Sequence, residues 1–365
     1  MEEFEETQNE NQEQSQNEEA VPPPAGFENQ EPVETSTPIQ STPSWQENRL
    51  DLSKVTNAVD KVKAELGKVI IGQDETMDLL IVALFTGGHV LLEGVPGIAK
   101  TMTAKLMAQA FDVEFQRIQF TPDLMPTDVV GTNVFNMKDS EFTFSRGPIF
   151  SNFVLIDEIN RAPAKTQSAL FEVMEEYQVT GDGITYPMDR PFVVIATQNP
   201  IEQEGTYKLP EAQLDRFLFK INMEYPNLEE EQQILKRFRS DFQIKQQNDV
   251  APVCSRAEIQ DCRDLIEKVQ IKDELLNYIA AIIHNTRNNG DLFLGASPRA
   301  SLSIMKAAKA IAAMNGRDFV TPDDIQYVAY PVLNHRVILT PEREMEGYDS
   351  KLVVNDIVKK IEVPR

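Results

Sequence analysis

The stretch from Gly94 to Thr101, Gly-Val-Pro-Gly-Ile-Ala-Lys-Thr, constrains this 365-residue chain more than any other. It follows a short apolar run, Val90 to Leu92, and precedes a helix-forming run, Met102 to Phe111. Strand, tight loop and helix in that order put backbone N–H groups around the start of a helix, which suits the phosphates of a nucleotide. In the pattern GxxxxGK[ST], Lys100 brings a positive charge to the β- and γ-phosphate oxygens, and the Thr101 hydroxyl is a ligand for Mg²⁺. Ala99 stands in for the second glycine, a small departure that still restricts the backbone. The nucleotide-binding candidates here are Gly94, Val95, Pro96, Gly97, Ile98, Ala99, Lys100, Thr101 and Met102.

Such a loop belongs to an α/β fold. Four further apolar runs read as strands: Val113 to Phe120, Phe153 to Ile156, Phe192 to Thr197 and Phe217 to Ile221. They are β-branched or aromatic and several are continuously apolar, as in parallel strands covered by helices on both faces. The second of them runs into Asp157 and Glu158. A buried strand delivers its last side chains to the carboxyl edge of the sheet, where ligands bind. There Asp157 is suited to hold Mg²⁺, and Glu158 to activate a water as general base. The third runs into Asn199, an amide placed to hydrogen-bond both the γ-phosphate and that water.

Two arginines stand out. Arg216 precedes the last strand, and a planar cation there is a candidate finger on a neighbouring subunit's ATP; the plain alternative is a surface arginine paired with Asp215 or Glu211. Arg299 follows Ser297, an N-cap, and Pro298, a first-turn residue, at the start of an alanine-rich helix reaching about Met314. A cation in a first turn opposes the helix dipole and calls for an anion, which a γ-phosphate would supply.

Before this body, residues 1 to about 48 carry twelve Glu, and up to position 50 the only basic residue is Arg49. The segment is too polar to offset its ordering entropy and is expected to be disordered. From Leu50 the pattern turns periodic: Ser53 is a candidate cap for a helix through Val55, Val59, Val62 and Leu66, and an amphipathic helix is expected from Asp74 to Phe85. Residues 229 to 365 read as mostly helical, with a minor strand near Val337 to Leu339. The expected division is therefore 1–48 tail, 49–228 ATPase core and 229–365 helical lid.

The chain has 58 acidic against 35 basic residues, a net charge of −23. That balance argues against non-specific nucleic-acid binding, which basic faces drive. No apolar run approaches the ~18 residues of a membrane span, and no basic or apolar leader opens the chain, so a soluble cytoplasmic protein is expected. Cys254 and Cys262 are read as reduced thiols, and His89, His284 and His335 are too scattered to suggest a metal cluster.

Together these residues resemble AAA+ ATPases, and specifically the MoxR family, over roughly residues 50 to 340. The resemblance lies in GVPGIAKT with its alanine at 99, LIDEINRAPAKTQSALFEVMEE (155–176), ATQNP (196–200), EGTYKLPEAQLDRF (204–217) and GASPRA (295–300). It implies a parallel five-stranded sheet of order 5-1-4-3-2 with a C-terminal helical lid. It also implies ATP/ADP and Mg²⁺ as ligands, with Lys100, Thr101, Asp157, Glu158, Asn199, Arg216 and Arg299 in the roles above. Val69 to Gln73, with Ile70, Ile71 and Gly72, is then expected near the adenine. A homo-oligomeric ring, usually a hexamer, is implied because ATP lies between subunits, and Arg161 is a second candidate arginine at that interface. MoxR-like ATPases are linked to von Willebrand factor A domain proteins and are regarded as chaperones that insert cofactors or remodel complexes.

Two insertions look like client-facing parts: Thr121 to Phe150, similar to the helix-2 insert, and a hairpin signal at Val179 to Thr185. Ser145 to Pro148 departs from the Pro-Gly-Pro type of turn expected of the family. Three other functions fit the same motifs. A nucleic-acid motor is disfavoured by the absence of basic residues in Val179 to Thr185; the others are a Mg-chelatase-like metal-insertion subunit and a slow nucleotide switch.

Overall fold

The computed structural model describes residues 49 to 364, apart from 139, 182, 201 to 204, 238 and 240 to 249. The expected tail, 1 to 48, lies outside the described residues. In chain order the elements are α1 (Ser53–Gly67), α2 (Asp74–Thr86), β1 (Val90–Gly94), α3 (Lys100–Ala110), β2 (Phe115–Gln119), α4 (Pro126–Val130), β3 (Gly131–Asn136) and β4 (Glu141–Arg146). Then come β5 (Phe153–Asp157), α5 (Ala164–Glu176), β6 (Gln178–Gly181), β7 (Ile184–Pro187), β8 (Val193–Gln198), α6 (Glu211–Leu214) and β9 (Phe219–Met223). The rest is α7 (Leu228–Arg237), α8 (Arg256–Glu267), α9 (Asp273–Arg287), β10 (Leu292–Leu294), α10 (Pro298–Met314), α11 (Pro322–Leu333), β11 (Ile338–Leu339), α12 (Pro341–Met345) and α13 (Ser350–Lys360).

Five strands form one parallel sheet in the order β2-β5-β8-β1-β9. Counting only these strands along the chain, that is the expected 5-1-4-3-2. The continuous apolar runs have a simple cause: alternate residues serve opposite faces. Val90, Leu92, Phe153, Leu155, Val193 and Ile195 join one apolar cluster, with α1, α2 and α3. Leu91, Val154, Ile156, Val194 and Ala196 join the other, with Leu170, Phe171 and Met174 of α5. The first cluster continues into the helical half through Ile259, Ile282, Ala307, Val328 and Val354. The expected break at 228/229 falls one residue inside α7, shortly after β9.

The two insertions form antiparallel hairpins, β3–β4 and β6–β7. Gly147 lies at the open end of the first hairpin: a Cβ there would overlap Val129 O and Gly131 N, so the Gly of Ser145 to Pro148 is sterically required.

Three local expectations change. Helix α2 is not amphipathic; Leu79 to Phe85 are all buried because α8 and α10 cover the side that the sheet leaves free. Ser53 is the first helical residue rather than the cap, and its N–H donates to Asp51 Oδ1 at 2.9 Å. Strand β10 was not foreseen; it pairs with β11 in a two-stranded ladder.

His89, just before β1, is fully enclosed. The Val194 N–H donates to its Nδ1 at 3.0 Å, so Nε2 carries the proton and donates to Met174 O at 3.0 Å. Burial pulls its pKa down to about 4, the bond to Met174 opposing. The folded state therefore binds fewer protons than the unfolded one between pH 4 and 6.5, and stability falls as pH drops through that window. Between pH 7.5 and 5, His89 alone is expected to remove about 2 kcal/mol, and buried His335, shifted the same way, adds to the loss. Denaturant unfolding at the two pH values measures it; equal stabilities would refute the assignment of a neutral imidazole.

Candidate functional site

All five strands run the same way, so β1, β5 and β8 end at one edge of the sheet. The Gly94 to Thr101 loop leaves β1 there. Gly97 (φ +90°) makes the turn, and Ala99 enters α3 in the left-handed region at φ 62°. A residue with a Cβ pays roughly 1–2 kcal/mol in that region, so the loop keeps a strain that glycine would relieve. Pro96, Gly97 and Ala99 are exposed, whereas Ile98 is buried and anchors the loop. Val95 and Met102 pack partly against the first apolar cluster. Lys100 folds back over the loop and donates to Gly94 O at 2.6 Å.

Asp157, the last residue of β5, comes to the same place. Thr101 Oγ1 lies 3.5 Å from its Oδ2, Arg117 Nε of β2 donates to Oδ2 at 2.6 Å, and Thr197 Oγ1 donates to Oδ1 at 3.1 Å. A hydroxyl and a carboxylate at the mouth of a phosphate loop are the hard oxygen donors a Mg²⁺ ion takes. No cluster of three His, Cys, Asp or Glu side chains suited to a metal occurs among the described residues, so such an ion would complete its shell from phosphates and water.

Glu158 leaves the strand in the left-handed region, φ 57°. Its N–H donates to Thr197 Oγ1 at 3.0 Å, and its Oε2 accepts from Gln119 Nε2 at 2.8 Å and pairs with Arg161 Nε at 3.2 Å. Arg161, expected at a subunit interface, thus contacts the acidic residue of its own chain. Asn199 is half-buried just past the end of β8, at the same edge.

Near the expected adenine segment, Ile70 is buried, Ile71 half-buried, and Gly72 (φ +73°) lines a cleft of ≈ 470 Å³. Gln73, Lys220, Tyr330 and Asp349 also line it, alongside β9, the strand paired with β1.

The other two arginines are elsewhere. Arg216 precedes β9 and so lies at the opposite edge of the sheet, about 15 Å of strand away from the loop. Arg299 joins it there: Arg216 Nε donates to Glu175 Oε2 at 2.7 Å, and Arg299 Nη2 donates to Glu175 Oε1 at 2.7 Å. Within this chain the anion beside the first turn of α10 is the Glu175 carboxylate. Neither Asp215 nor Glu211 pairs with Arg216. Asp215 accepts from Arg336 Nε at 2.7 Å and from Ser297 Oγ at 2.9 Å, so the Ser297 hydroxyl braces the sheet instead of capping α10.

The comparisons with known proteins agree with this architecture. Residues 89–219 match the model of the ATPase family associated with various cellular activities (AAA), and residues 284–357 match an AAA lid domain. A crystal structure from Cytophaga hutchinsonii, of a protein assigned as an ATPase, superimposes with a TM-score of 0.79 at 43% identity, covering 86% of this chain and 97% of that one. The uncharacterized protein YeaC of Bacillus subtilis is 45% identical over 83% of this chain and 94% of its own length. The Chaperone MoxR1 of Mycobacterium tuberculosis is 42% identical over 86% of this chain and 84% of its own length. The chain belongs to the MoxR family of AAA+ ATPases.

Several contacts of this MoxR-family site carry no mark in the sequence. Thr197 bonds both Asp157 and the Glu158 backbone, and the register that pairs Ile156 with Ala196 is what sets Thr197 beside Asp157. Arg117 and Gln119, two residues apart on β2 and so on one face of this edge strand next to β5, reach Asp157 and Glu158. Glu175 lies inside the family-like stretch 155–176, yet nothing local says that it holds two distant arginines. No described helix is long and apolar enough to cross a membrane.

Proposed function

We propose that this MoxR-family chain hydrolyses ATP as a ring, most simply a hexamer, and couples hydrolysis to the remodelling or maturation of protein complexes in the cytoplasm. One observation carries the reading: Lys100, Thr101, Asp157 and Glu158 converge on one edge of the sheet, while Arg216 and Arg299 converge on the other. Arginines so placed are out of reach of their own chain's triphosphate, which supports a role on that of a neighbouring copy.

The steps assigned to the residues are these. Backbone N–H groups of Gly94 to Thr101 and the Lys100 ammonium bind the β- and γ-phosphates. Thr101 and Asp157 would hold Mg²⁺, which when bound offsets charge on those phosphates. Glu158 takes a proton from water as the water oxygen joins the γ-phosphorus and the bond to the β,γ-bridging oxygen breaks, giving ADP and phosphate. Asn199 orients that water. Arg216 and Arg299 of the neighbour stabilise charge on the transferring group.

The similarity to the mycobacterial Chaperone MoxR1 supports a chaperone role, and a von Willebrand factor A domain protein is the expected partner. The test is retention on a Glu158→Gln variant loaded with ATP and Mg²⁺, with Lys100→Ala as the unloaded control. A von Willebrand factor A protein or an immature complex held only by the former supports the reading. Nucleic acid held in its place would refute it and favour a motor.

A further inference from the structure

Glu175 stands near the end of α5 and holds two arginines from different parts of the chain. Its Oε2 accepts from Nε of Arg216, in the turn before β9, and its Oε1 from Arg299, in the first turn of α10. The cleft around them, ≈ 290 Å³, is also lined by Lys306, Asp215 and Arg336. Asp215 is already engaged by buried Arg336 and by Ser297. Glu175 is therefore the carboxylate left to serve the two accessible guanidinium groups.

We propose that Glu175 is a positioning residue, the resting counter-ion of Arg216 and Arg299, which the phosphates of a neighbouring copy's nucleotide displace on assembly. The proposal rests on those arginines acting on a neighbour's nucleotide. Three observations carry it. Two guanidinium groups share one carboxylate, so the cluster keeps a positive charge and attracts a further anion. Glu175, Arg216 and Arg299 are all partly open to solvent, at 35%, 27% and 44% side-chain exposure, so the exchange needs no unfolding. A triphosphate presents more charge and more acceptor oxygens than a carboxylate, and so wins the guanidinium groups once it arrives. Hydrogen bonds from Arg216 and then Arg299 hold the Glu175 carboxyl below the usual carboxylate range, so it is ionised at neutral pH and competes fully.

The experiment measures ATP turnover per chain against protein concentration for the full-length protein. Glu175→Gln removes the competing charge and keeps the side chain's shape. Two exposed ion pairs of ordinary size correspond to about a tenfold change, so half-maximal turnover should come at about a tenfold lower protein concentration, with the plateau within about twofold of wild type. Glu175→Asp, which keeps the charge but is too short to serve both arginines, should fall between, and serves if Glu175→Gln proves unstable in thermal unfolding without nucleotide. An unchanged or higher half-maximal concentration, or a plateau loss of tenfold with the concentration unmoved, overturns the proposal; the latter would make Glu175 a brace for catalysis. Arg216→Ala separates the two levels. If it turns over like wild type, the trans-acting arginine itself fails. If it is impaired while Glu175→Gln behaves as wild type, only the role of Glu175 fails.

Discussion

Glu158→Gln is expected to lower ATP turnover by at least about 10²-fold while leaving ATP binding close to wild type. The amide keeps the size and hydrogen-bonding reach of the carboxylate, so the contact from Gln119 Nε2 and the bond from the Glu158 N–H to Thr197 Oγ1 both survive. What is lost is basicity, and with it the acceptor for the water's proton, together with the charge that pairs with Arg161. Phosphate release and equilibrium binding of ATP, measured on the same preparation, separate the two effects. Lys100→Ala should differ in kind, losing binding as well, because the ammonium over the loop would contact the phosphates directly. Turnover at the wild-type rate in Glu158→Gln would remove Glu158 from the chemistry and move the base elsewhere along that edge.

Arg216→Ala should cost more, about 10³-fold in turnover, with ATP affinity little changed. Its guanidinium lies at the edge of the sheet away from its own phosphate loop, so the loss should belong to the neighbour's site. Mixing decides this. Arg216→Ala chains supply intact loops and Glu158→Gln chains supply intact arginines, and at an interface where both occur activity should reappear. Two inactive variants that stay inactive when mixed would place the arginine's action within one chain or nowhere.

The parts of this molecule that were legible in its sequence are those whose cause is local. The strand–loop–helix at Gly94 to Thr101 announces itself because tight turn, cation and hydroxyl must lie within eight residues. Asp157 and Glu158 are legible because an apolar strand has to end somewhere and its last residues face the ligand edge. The sheet order came with the family resemblance, since periodicity alone does not order parallel strands. Glu175 was hidden because its partners are 41 and 124 residues away. Arg117 and Thr197 were hidden because only the register of β2 and β8 against β5 brings them to Asp157. Helix α2 was misjudged as one-sided for the same reason: burial by α8 and α10 is a fact about remote segments, although the apolar run of Leu79 to Phe85 was a signal for it.

The cluster that passes from the sheet into the helical half has a mechanical meaning. If that half had a core of its own, it would be free to swing about a hinge. Here Ile259, Ile282, Val328 and Val354 belong to the same cluster as Leu92 and Ile195. A wide swing would open that seam at about 25 cal/mol for each Å² of apolar surface exposed. The two halves are therefore expected to resist a wide swing against each other, so that in the assembly proposed above displacement would accumulate where one copy meets the next.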